Sequence, residues 1–325
     1  MADNAYPQAG GQFVISLDFE LLWGVRDHSD VKSYGANILG ARAAIPRILE
    51  LFAQHDIAAT WATVGFLFCR DRDELMASLP PPELRPSYHD ARLSSYAYLD
   101  EVGQDEDQDP YRFGASLIDE IKQTPRQEIA THTLSHYYCL EPGQTVEQFA
   151  ADLKAAIALA GRHGVTLGSI VFPRNQYDRE HLEACKALGM TAYRGVPSPW
   201  IYRSGAGADQ TPLRRAGRLL DAHTGLFGDT SFAPSTDNPA NVPASQFLRP
   251  CSGRLARLHP LHTRTIKNGM TRAAKVGRGY HLWWHPHNFG QNIDGNITHL
   301  SEIIRHFRTL KERFGMESLS MCDFP

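Results

Sequence analysis

The sequence predicts an α/β protein in which parallel strands form a sheet or a barrel. Short apolar runs alternate along the chain with amphipathic helical segments, and several runs are followed at once by carboxylates, histidines or an arginine. This alternation is typical of βαβ units, in which the carboxyl ends of the strands meet at one edge. We therefore expect the polar residues that follow the strands to assemble into one site.

The first elements form a β-α-β unit. The run "FVISLDFELLW" predicts a strand that begins near Phe13, and "AATWATVGFLF" predicts a short buried strand. Between them, "ARAAIPRILELFAQHDI" places Ile45, Ile48, Leu49 and Phe52 on one helical face. The pattern is then interrupted by a proline cluster and the acidic stretch "DEVGQDEDQD", which indicate a solvated surface excursion over residues 80–110.

The alternation returns and continues to the end of the sequence. Helices are predicted in "FGASLIDEIKQT", "TVEQFAADLKAAIALAGRHG", "DREHLEACKALGM" and "ITHLSEIIRHFRTLKERFG", and strands in "QEIATHT", "GSIVFP", "TAYRG" and "YHLWWHPH". The stretch from Pro197 to Pro260 is rich in Gly, Pro and Ser, which predicts long loops instead of a second core. We therefore predict one domain over residues 1–325, with a flexible N-terminus at 1–11 and loop-rich insertions at 80–110 and 197–260.

The composition excludes some classes of function. Charged residues make up 21% and apolar residues 42% of the chain, and a net charge of −3 gives no basic excess that would indicate nucleic-acid binding. The N-terminal sequence has no basic region followed by an apolar one, and no apolar run approaches the roughly 18 residues of a membrane span. The five cysteines are scattered without a CxxC spacing, which argues against a disulfide framework. We expect a cytoplasmic protein.

Two carboxylates lie two residues apart at the end of the first predicted strand. Because a strand alternates its side chains between faces, Asp18 and Glu20 would project on the same side. Two like charges in one small site need a cation, an arginine or a shared proton nearby. The pair is therefore either a metal or acid/base site, or a solvated strand end.

His132 and His136 stand four residues apart in "THTLSHYY", just after a predicted strand. At helical spacing both imidazoles would share a face and could chelate one ion, and imidazole suits zinc. A structural pair is the alternative, because 15 histidines make chance pairs common. Two histidines and one carboxylate are a common catalytic zinc set that leaves a coordination position open for water.

Two further strand ends carry polar groups. "IVFPRNQY" contains Arg174 and Asn175, and an arginine in this position can hold a nearby carboxylate ionised and oriented. In "YHLWWHPHNFG", His281, His285 and His287 share one face of an alternating strand, the last two near its carboxyl end. A histidine there can act as a general acid towards a leaving amine.

These four blocks, in this order, resemble the polysaccharide deacetylase family, carbohydrate esterase family 4. The resemblance covers most of the sequence from Phe13 to Phe289. It implies a distorted (β/α) barrel of seven or so parallel strands with surface insertions. It also implies a divalent metal, most often zinc, held by one carboxylate and the two histidines of the HxxxH block, with a neighbouring aspartate as the base.

The resemblance gives each block a role. It implies three metal ligands, which are Glu20, His132 and His136. It implies three catalytic residues, which are the base Asp18, the arginine that orients this base, Arg174, and the acid His285. Four further residues are candidates for substrate contact: Asn175, Trp200, His287 and Asn288.

The sequence also departs from common members of the family. Their carboxylates are adjacent, whereas this chain has Asp-x-Glu, as in the subgroup that acts on lipid-linked or bacterial cell-surface sugars. The roles of Asp18 and Glu20 could therefore be exchanged, and either His285 or His287 could be the acid. The arginine block reads "FPRNQY" where members often have RxPxG, and the first two motifs are widely separated.

The function implied by the resemblance is metal-dependent hydrolysis of an N-acetyl group on an amino sugar, in the biosynthesis of a bacterial surface polysaccharide. Expected substrates are nucleotide-activated or lipid-linked sugars met on the cytoplasmic side of the membrane. Two alternatives remain, namely hydrolysis of another amide, such as deformylation, and a non-catalytic glycan-binding or assembly role. The sequence indicates no nucleic-acid partner and no particular oligomeric state.

A basic segment bears on the choice of substrate. Between Arg249 and Arg278 the chain holds eight Lys or Arg residues and no carboxylate. This segment is either a solvated helix with its loop, or a surface for a substrate diphosphate or an anionic membrane.

Overall fold

The computed structural model describes residues 10–203, 205–206, 211–251 and 257–324. Its centre is a barrel of parallel strands. The described residues contribute nine strands: β1 (Gln12–Phe19), β2 (Ala59–Thr63), β3 (Gln127–Thr131), β4 (Ser169–Ile170), β5 (Ala192–Tyr193), β6 (Ala240–Asn241), β7 (Gln246–Phe247), β8 (Gly279–Trp284) and β9 (Glu317–Leu319). Their order is β6-β5-β4-β3-β2-β1-β8-β7, with β9 beside the first half of β1. The predicted α/β barrel is confirmed.

One extended segment, residues 240–248, connects the two edges of the sheet. The N–H groups of Ala240, Val242 and Ala244 donate to the chain around β5, and those of Ser245 and Leu248 donate to β8. Because the edge strands β6 and β7 both belong to this segment, the sheet curves into a distorted barrel instead of remaining open.

Helices surround the barrel. The described residues form eight α-helices: α1 (Val31–Gln54), α2 (Arg72–Ala77), α3 (Ala115–Gln123), α4 (Val146–Arg162), α5 (Arg179–Ala187), α6 (Pro212–Thr224), α7 (His259–Val276) and α8 (Ile293–Phe314). The face of α1 that was predicted to be apolar is buried. Among the described helices, none combines the length and the apolar character needed to cross a membrane.

The core has two layers that follow from the alternation of strand β1. The odd-numbered residues of Phe13–Phe19 belong to the large apolar cluster between the barrel and the helices. Val14 belongs to a smaller cluster with Ala62, Val171 and Val242. Since Ser16 and Asp18 follow Val14 on the same strand face, the interior changes from apolar to polar towards the carboxyl ends of the strands.

Residues 80–110 are the stretch for which a surface excursion was predicted. This stretch forms three short 3-10 helices, Pro82–Leu84, Ala91–Leu93 and Ser95–Glu101, and no α-helix or named strand. Leu99 is buried and anchors the excursion to the core. Residues 1–9, which belong to the predicted flexible N-terminus, lie outside the described residues.

The prediction of long loops for residues 197–260 is wrong in part, because α6, β6 and β7 lie there. Thr211 caps α6 by accepting from the N–H of Arg214, Pro212 occupies the first turn, and Gly225 ends the helix with φ of 63°. Proline and glycine therefore act as start and stop signals of a helix here. The two strands have two residues each, which is too short for a periodic pattern.

Candidate active site

Polar side chains meet at the carboxyl ends of three strands. Asp18 lies near the end of β1, and Glu20 directly follows this strand. His132 directly follows β3, and His285 directly follows β8. Strand ends that are far apart in the sequence thus bring these groups to one edge of the barrel, as predicted.

Glu20 contacts both histidines of the HxxxH block. Its Oε2 atom lies 3.1 Å from Nε2 of His136 and 3.4 Å from Nε2 of His132, and all three side chains are nearly inaccessible to solvent. One ligand atom from each residue lies within 4.8 Å of the others, so the three could hold a single ion. Burial raises the pKa of Glu20, but its contacts with His285, His132 and His136 hold the pKa well below its ordinary value. Glu20 is therefore an anion.

The two histidines come together in a loop and not on a helix. Thr133 and His136 adopt left-handed backbone conformations, with φ of 65° and 57°. Asp152, buried on α4, holds the loop by accepting hydrogen bonds from the N–H of Leu134 at 2.7 Å and from the hydroxyl of Ser135. The HxxxH spacing thus indicated a shared site correctly, but the helical face expected from it is wrong.

His132 shows why this site suits a cation. Its Nδ1–H donates to the carbonyl of Val171 at 2.7 Å, which leaves a lone pair on Nε2. That Nε2 atom is buried, makes no hydrogen bond and faces the carboxylate of Glu20. Two lone pairs that face each other repel, whereas a cation between them would satisfy both. Burial also lowers the pKa of His136 to about 4, which keeps its imidazole in the neutral form that binds metals.

Gly24 makes room for the carboxylate of Glu20. A Cβ atom at residue 24 would lie 1.9 Å from Cδ of Glu20. Any other residue would therefore displace the carboxylate from the two histidines. Two imidazoles and one carboxylate are a donor set that suits zinc and similar divalent ions. The residues present fit a divalent metal.

Asp18 is held by Arg194. The guanidinium makes a bidentate contact, with Nη1 at 2.6 Å from Oδ1 and Nη2 at 2.8 Å from Oδ2, and both side chains are almost completely buried. Burial raises the pKa of Asp18, but Arg194 and then His132 more than offset this, so the pKa lies below its ordinary value. Asp18 is an anion that is already paired with a cation of the protein.

A chain of hydrogen bonds continues behind Arg194. Its Nη1 also donates to Oγ of Ser16 at 3.0 Å, and Oγ lies 2.8 Å from Nε2 of His281. Nδ1 of His281 lies 3.1 Å from the carbonyl oxygen of Val242. His281, which was expected to share a face with His285, therefore lies deeper in the barrel and supports Arg194.

The prediction that Arg174 orients Asp18 is wrong. Its guanidinium pairs with Asp27 and with Glu141 and lies over the ring of Tyr138, 4.2 Å from the centroid. Arg174 and Asn175 both adopt left-handed backbone conformations, with φ of 55° and 52°, so the chain turns sharply after Pro173.

Asn175 instead contacts Arg194, the arginine that holds Asp18. Its Oδ1 accepts a hydrogen bond from Nη2 of Arg194 at 3.2 Å. Arg194 was not identified from the sequence, although its signal is present. It follows a predicted strand in "TAYRG", as Arg174 follows one in "IVFPRNQY".

His285 and His287 stack on each other beside the two carboxylates. Their ring centroids are 4.9 Å apart with an angle of 20° between the planes. Nε2 of His285 lies 3.8 Å from Oδ2 of Asp18 and 3.6 Å from Oε1 of Glu20, and its Nδ1 lies 3.3 Å from Oδ1 of Asn288. Its side chain is 24% exposed, whereas that of His287 is 4% exposed. His285 is the more accessible of the two.

Trp200 lies farther out. It begins the short 3-10 helix Trp200–Tyr202 and is half exposed, at 50%. No contact of its side chain with the carboxylates or the histidines occurs in the described part of the chain. Its predicted role in substrate binding stays a prediction.

The basic segment is not one continuous surface. Arg249 follows β7 at the carboxyl end of the barrel, whereas the other described members lie on or beside α7. There, Nζ of Lys267 lies 2.5 Å from Oε1 of Glu302, and Arg272 and Arg278 lie within 4 Å of Asp229. Arg254 lies outside the described residues. The idea of one anion-binding patch over the whole segment is therefore not supported by its geometry.

A second group of potential metal ligands lies between α7 and α8. It consists of Cys251, His259 and His299, whose ligand atoms lie within 4.8 Å of one another. Sγ of Cys251 is 3.3 Å from Nδ1 of His259, and Nε2 of His299 is 2.8 Å from Oγ1 of Thr263. Any measurement of metal content must separate this group from the one at Glu20.

Solved structures with similar folds include proteins named as polysaccharide deacetylases. One from Mycobacterium smegmatis is 13% identical with a TM-score of 0.60, and the match covers 99% of this chain and 92% of that chain. One from Pseudomonas aeruginosa PAO1 is 10% identical with a TM-score of 0.57, and the match covers 97% and 89%. Puue allantoinase is also similar, at 10% identity and a TM-score of 0.51, over 99% of this chain and 90% of that chain.

These likenesses establish the fold and leave the activity open, because one fold carries many reactions. Comparisons of the sequence with protein-family models and with curated proteins give no match. The chain has the α/β barrel fold of structures named as polysaccharide deacetylases, which confirms at the level of the fold the resemblance carried by its motifs.

Proposed function

We propose that this protein is a metal-dependent hydrolase that removes the N-acetyl group from an amino sugar and releases acetate. One observation carries the proposal, namely that two carboxylates two residues apart at the end of one strand have different partners. Glu20 faces two imidazoles, one of which has a free lone pair, while Asp18 is paired with Arg194. Two carboxylates in distinct environments are typical of a site with separate ligand and base roles.

The residues that would hold the metal are Glu20, His132 and His136. A divalent ion there supplies Lewis-acid chemistry, since it polarises the acetyl carbonyl and lowers the pKa of water. Asp18 does not need the metal for charge balance, because Arg194 already neutralises it. It therefore remains free to accept the proton of the attacking water as a general base. This division of roles argues against exchanging the two carboxylates.

His285 is better placed than His287 to protonate the departing amine. Its contact with Asn288 suits a proton on Nδ1, so Nε2 faces the two carboxylates and can carry the proton that is transferred. Burial lowers the pKa of His287 to about 3, which keeps that imidazole neutral and makes it a poor acid near neutral pH. His287 instead packs against His285 and fixes the plane of its ring.

We extend the proposal to zinc as the metal and to a nucleotide- or lipid-linked N-acetyl sugar of bacterial surface-polysaccharide synthesis as the substrate. A cytoplasmic location is part of this proposal. It is supported by the cysteines, which are all free, three of them buried as thiols, as is usual in a reducing compartment. A peripheral contact with an anionic membrane surface would fit a lipid-linked substrate.

The first experiment measures metal content by elemental analysis in four proteins. These are the wild type, the His132→Ala/His136→Ala variant, the Cys251→Ala/His299→Ala variant and Asp18→Asn. We expect about one zinc or similar ion in the wild type, its loss in the first variant and its retention in the second. Retention in the first variant and loss in the second would place the metal at the other group and refute the proposed site.

Activity then tests the roles of the two carboxylates. Acetate release from N-acetyl sugars should be lost in Asp18→Asn while its metal content stays near that of the wild type. Loss of metal in this variant, with folding intact by circular dichroism, would show that Asp18 and Glu20 have exchanged roles. Unchanged acetate release would remove Asp18 as the base.

Hydrolysis of a different amide is the second candidate, because the allantoinase of similar fold carries a name that refers to a reaction on a non-sugar amide. Screening formamides, acetamides and ureides for products by mass spectrometry separates the two. A non-catalytic role would be indicated if metal is bound and none of these compounds is hydrolysed.

A further inference from the structure

A cavity of about 470 Å³ opens beside the candidate active site. His285, Trp283 and Asn175 belong to its lining, so the cavity is continuous with the catalytic centre described above. Its volume falls in the range of roughly 300–1,000 Å³ that is usual for small-molecule sites. The cavity is therefore the natural place for the part of a substrate that extends beyond the reacting amide.

Positive charge dominates this cavity. Its described lining contains no Asp or Glu, and four of its arginines have no ion-pair partner among the described residues: Arg203, Arg215, Arg218 and Arg249. The fifth arginine of the lining, Arg174, is paired with Asp27 and Glu141. Unpaired cations gathered in a concave surface repel each other and attract anions from solution.

Two of the four arginines, Arg218 and Arg249, are partly buried and have no counter-ion in the described part of the chain. Nη1 of Arg218 donates to the carbonyl of Ile201 at 3.1 Å, and Nε of Arg249 is buried without a hydrogen-bond partner. Burial and the neighbouring Arg214 lower the pKa of Arg218, and burial lowers the pKa of Arg249. Arg203 and Arg215 are exposed.

An aromatic wall lies next to His285. The rings of Phe247 and Trp283 contact edge to face, with centroids 4.8 Å apart, and both lie within about 6 Å of the imidazole of His285. An aromatic surface of this kind suits the apolar face of a sugar ring. The lining thus combines, from the catalytic histidine outwards, a surface for a sugar and guanidiniums for an anion.

We propose that this cavity binds the phosphate or diphosphate group of the substrate, so that the enzyme acts on an N-acyl sugar that is linked to phosphate. This inference rests on the proposed function for the identity of the sugar, but the anion site itself does not. The planar guanidinium fork matches phosphate oxygens in pairs, and several such contacts give both affinity and orientation. A neutral polysaccharide would leave all four cations without a partner.

Binding of inorganic pyrophosphate, measured by calorimetry at low salt, tests the anion site independently of activity. The variants are Arg218→Gln/Arg249→Gln in the cavity and Arg257→Gln/Arg264→Gln as a control that removes equal charge from exposed positions of the same basic segment. We expect about 10- to 100-fold weaker binding in the cavity variant and less than a twofold change in the control. Equal weakening in both, or no binding to the wild type, would overturn the inference.

A second cavity variant, Arg203→Gln/Arg215→Gln, keeps the test sound if the first pair affects folding. Both of its side chains are exposed, so the variant should fold like the wild type. We expect about tenfold weaker binding of pyrophosphate. Unchanged binding in a folded Arg203→Gln/Arg215→Gln protein would show that the anion site is not built as proposed.

Kinetics with four substrates distinguish the sources of the phosphate. N-acetylglucosamine, its 1-phosphate and a uridine-diphosphate-linked form are compared with a short-chain polyprenyl-diphosphate-linked form. We expect the phosphorylated compounds to have KM values at least about tenfold lower, and the cavity variants to raise these KM values with little change in kcat. Whichever diphosphate has the lower KM identifies the carrier.

Failure of this inference is distinguishable from failure of the proposed function. Equal KM values for phosphorylated and unphosphorylated sugars in all variants would overturn the inference and leave the deacetylase standing. Tight pyrophosphate binding that the cavity variants abolish, with no acetate released from any substrate, would refute the proposed function and leave the anion site standing.

Discussion

Replacement of Arg194 by Met tests the structure of the site most directly. The substitution keeps an apolar side chain of similar length and removes the guanidinium, whose carbon lies 4.3 Å from the centroid of the Trp283 ring. The carboxylate of Asp18 then loses two hydrogen bonds of 2.6 and 2.8 Å and its only bidentate partner among the described residues. The change should therefore affect both the stability of the fold and the carboxylate of Asp18, the proposed base.

The expected loss of folding stability is large. Removing one partner of a buried ion pair leaves an uncompensated charge and costs about 3–5 kcal/mol. Both side chains are almost fully buried, so solvent offers little relief. We expect the free energy of unfolding, measured in urea at pH 7, to fall by about that amount in Arg194→Met. The same measurement on Arg174→Met serves as comparison, and a smaller loss is expected because that guanidinium is 35% exposed, against 1% for Arg194.

Removal of Arg194 should also move the pH profile of acetate release, in a direction set by the pKa of Asp18. Burial alone raises the pKa of Asp18, and Arg194 is the largest of the contacts that lower it. Without Arg194 the pKa of Asp18 should rise above that of the wild-type residue. The acidic limb of the kcat/KM profile for acetate release should then move to higher pH in Arg194→Met, and Arg174→Met should leave it in place.

A double variant tests whether the stability lost in Arg194→Met comes from the unpaired charge of Asp18. Asp18→Asn/Arg194→Met removes both charges, so it should recover part of the stability that Arg194→Met loses. Stability of Arg194→Met within 1 kcal/mol of the wild type, together with an unmoved pH profile, would contradict the assignment of Arg194. A larger effect in Arg174→Met than in Arg194→Met would reinstate the arginine predicted from the sequence.

Three further predictions concern two supports of the site, Asp152 and Gly24, and the buried His262 of α7. Asp152→Ala leaves the N–H of Leu134 without its acceptor, so we expect a loss of about 1–3 kcal/mol in urea unfolding and weaker metal binding. Gly24→Ala should shift Glu20 and weaken zinc binding about 10- to 100-fold in competition with a chelator, with unfolding changed by less than about 1 kcal/mol. Burial lowers the pKa of His262 from 6.5 to about 3, so the stability it contributes is complete above pH 6.5 and is lost as pH falls towards 3. His262→Gln should therefore lessen the pH dependence of unfolding between pH 4 and 6.5 by up to about 1.4 kcal/mol per pH unit, and an unchanged slope would contradict this.

The sequence predicted the parts of the site that follow long apolar strands. β1 and β8 have eight and six residues, and their periodic patterns located Asp18, Glu20 and His285 at the strand ends. A parallel barrel then brings these ends together without further information. The HxxxH block was also located correctly, although a loop and not a helix brings its imidazoles together.

The choice between two arginines could not be made from the sequence. Arg174 and Arg194 both follow short apolar stretches, and each strand, β4 and β5, has only two residues. What separates them is the turn at Arg174 and Asn175, where two successive residues have positive φ. Neither residue is glycine, so the conformation is held by tertiary contacts that no local pattern encodes.

The same reasoning explains why sequence analysis indicated only Arg249 of the four arginines in the proposed anion cavity, as part of the basic segment, and missed Arg203, Arg215 and Arg218. Segment 240–248 joins the two edges of the barrel, and Phe247 and Arg249 line the cavity beside it. Segment 240–248 pairs with the chain around β5 on one side and with β8 on the other, each over a few residues. Its sequence therefore has no apolar periodicity and predicts a loop. Its carbonyl at Val242 also lies within hydrogen-bond reach of His281, which contacts Ser16 and through it Arg194. A change in this segment should therefore alter both the proposed anion site and the proposed base Asp18, which would couple substrate binding to catalysis through a stretch whose local sequence signals are weak.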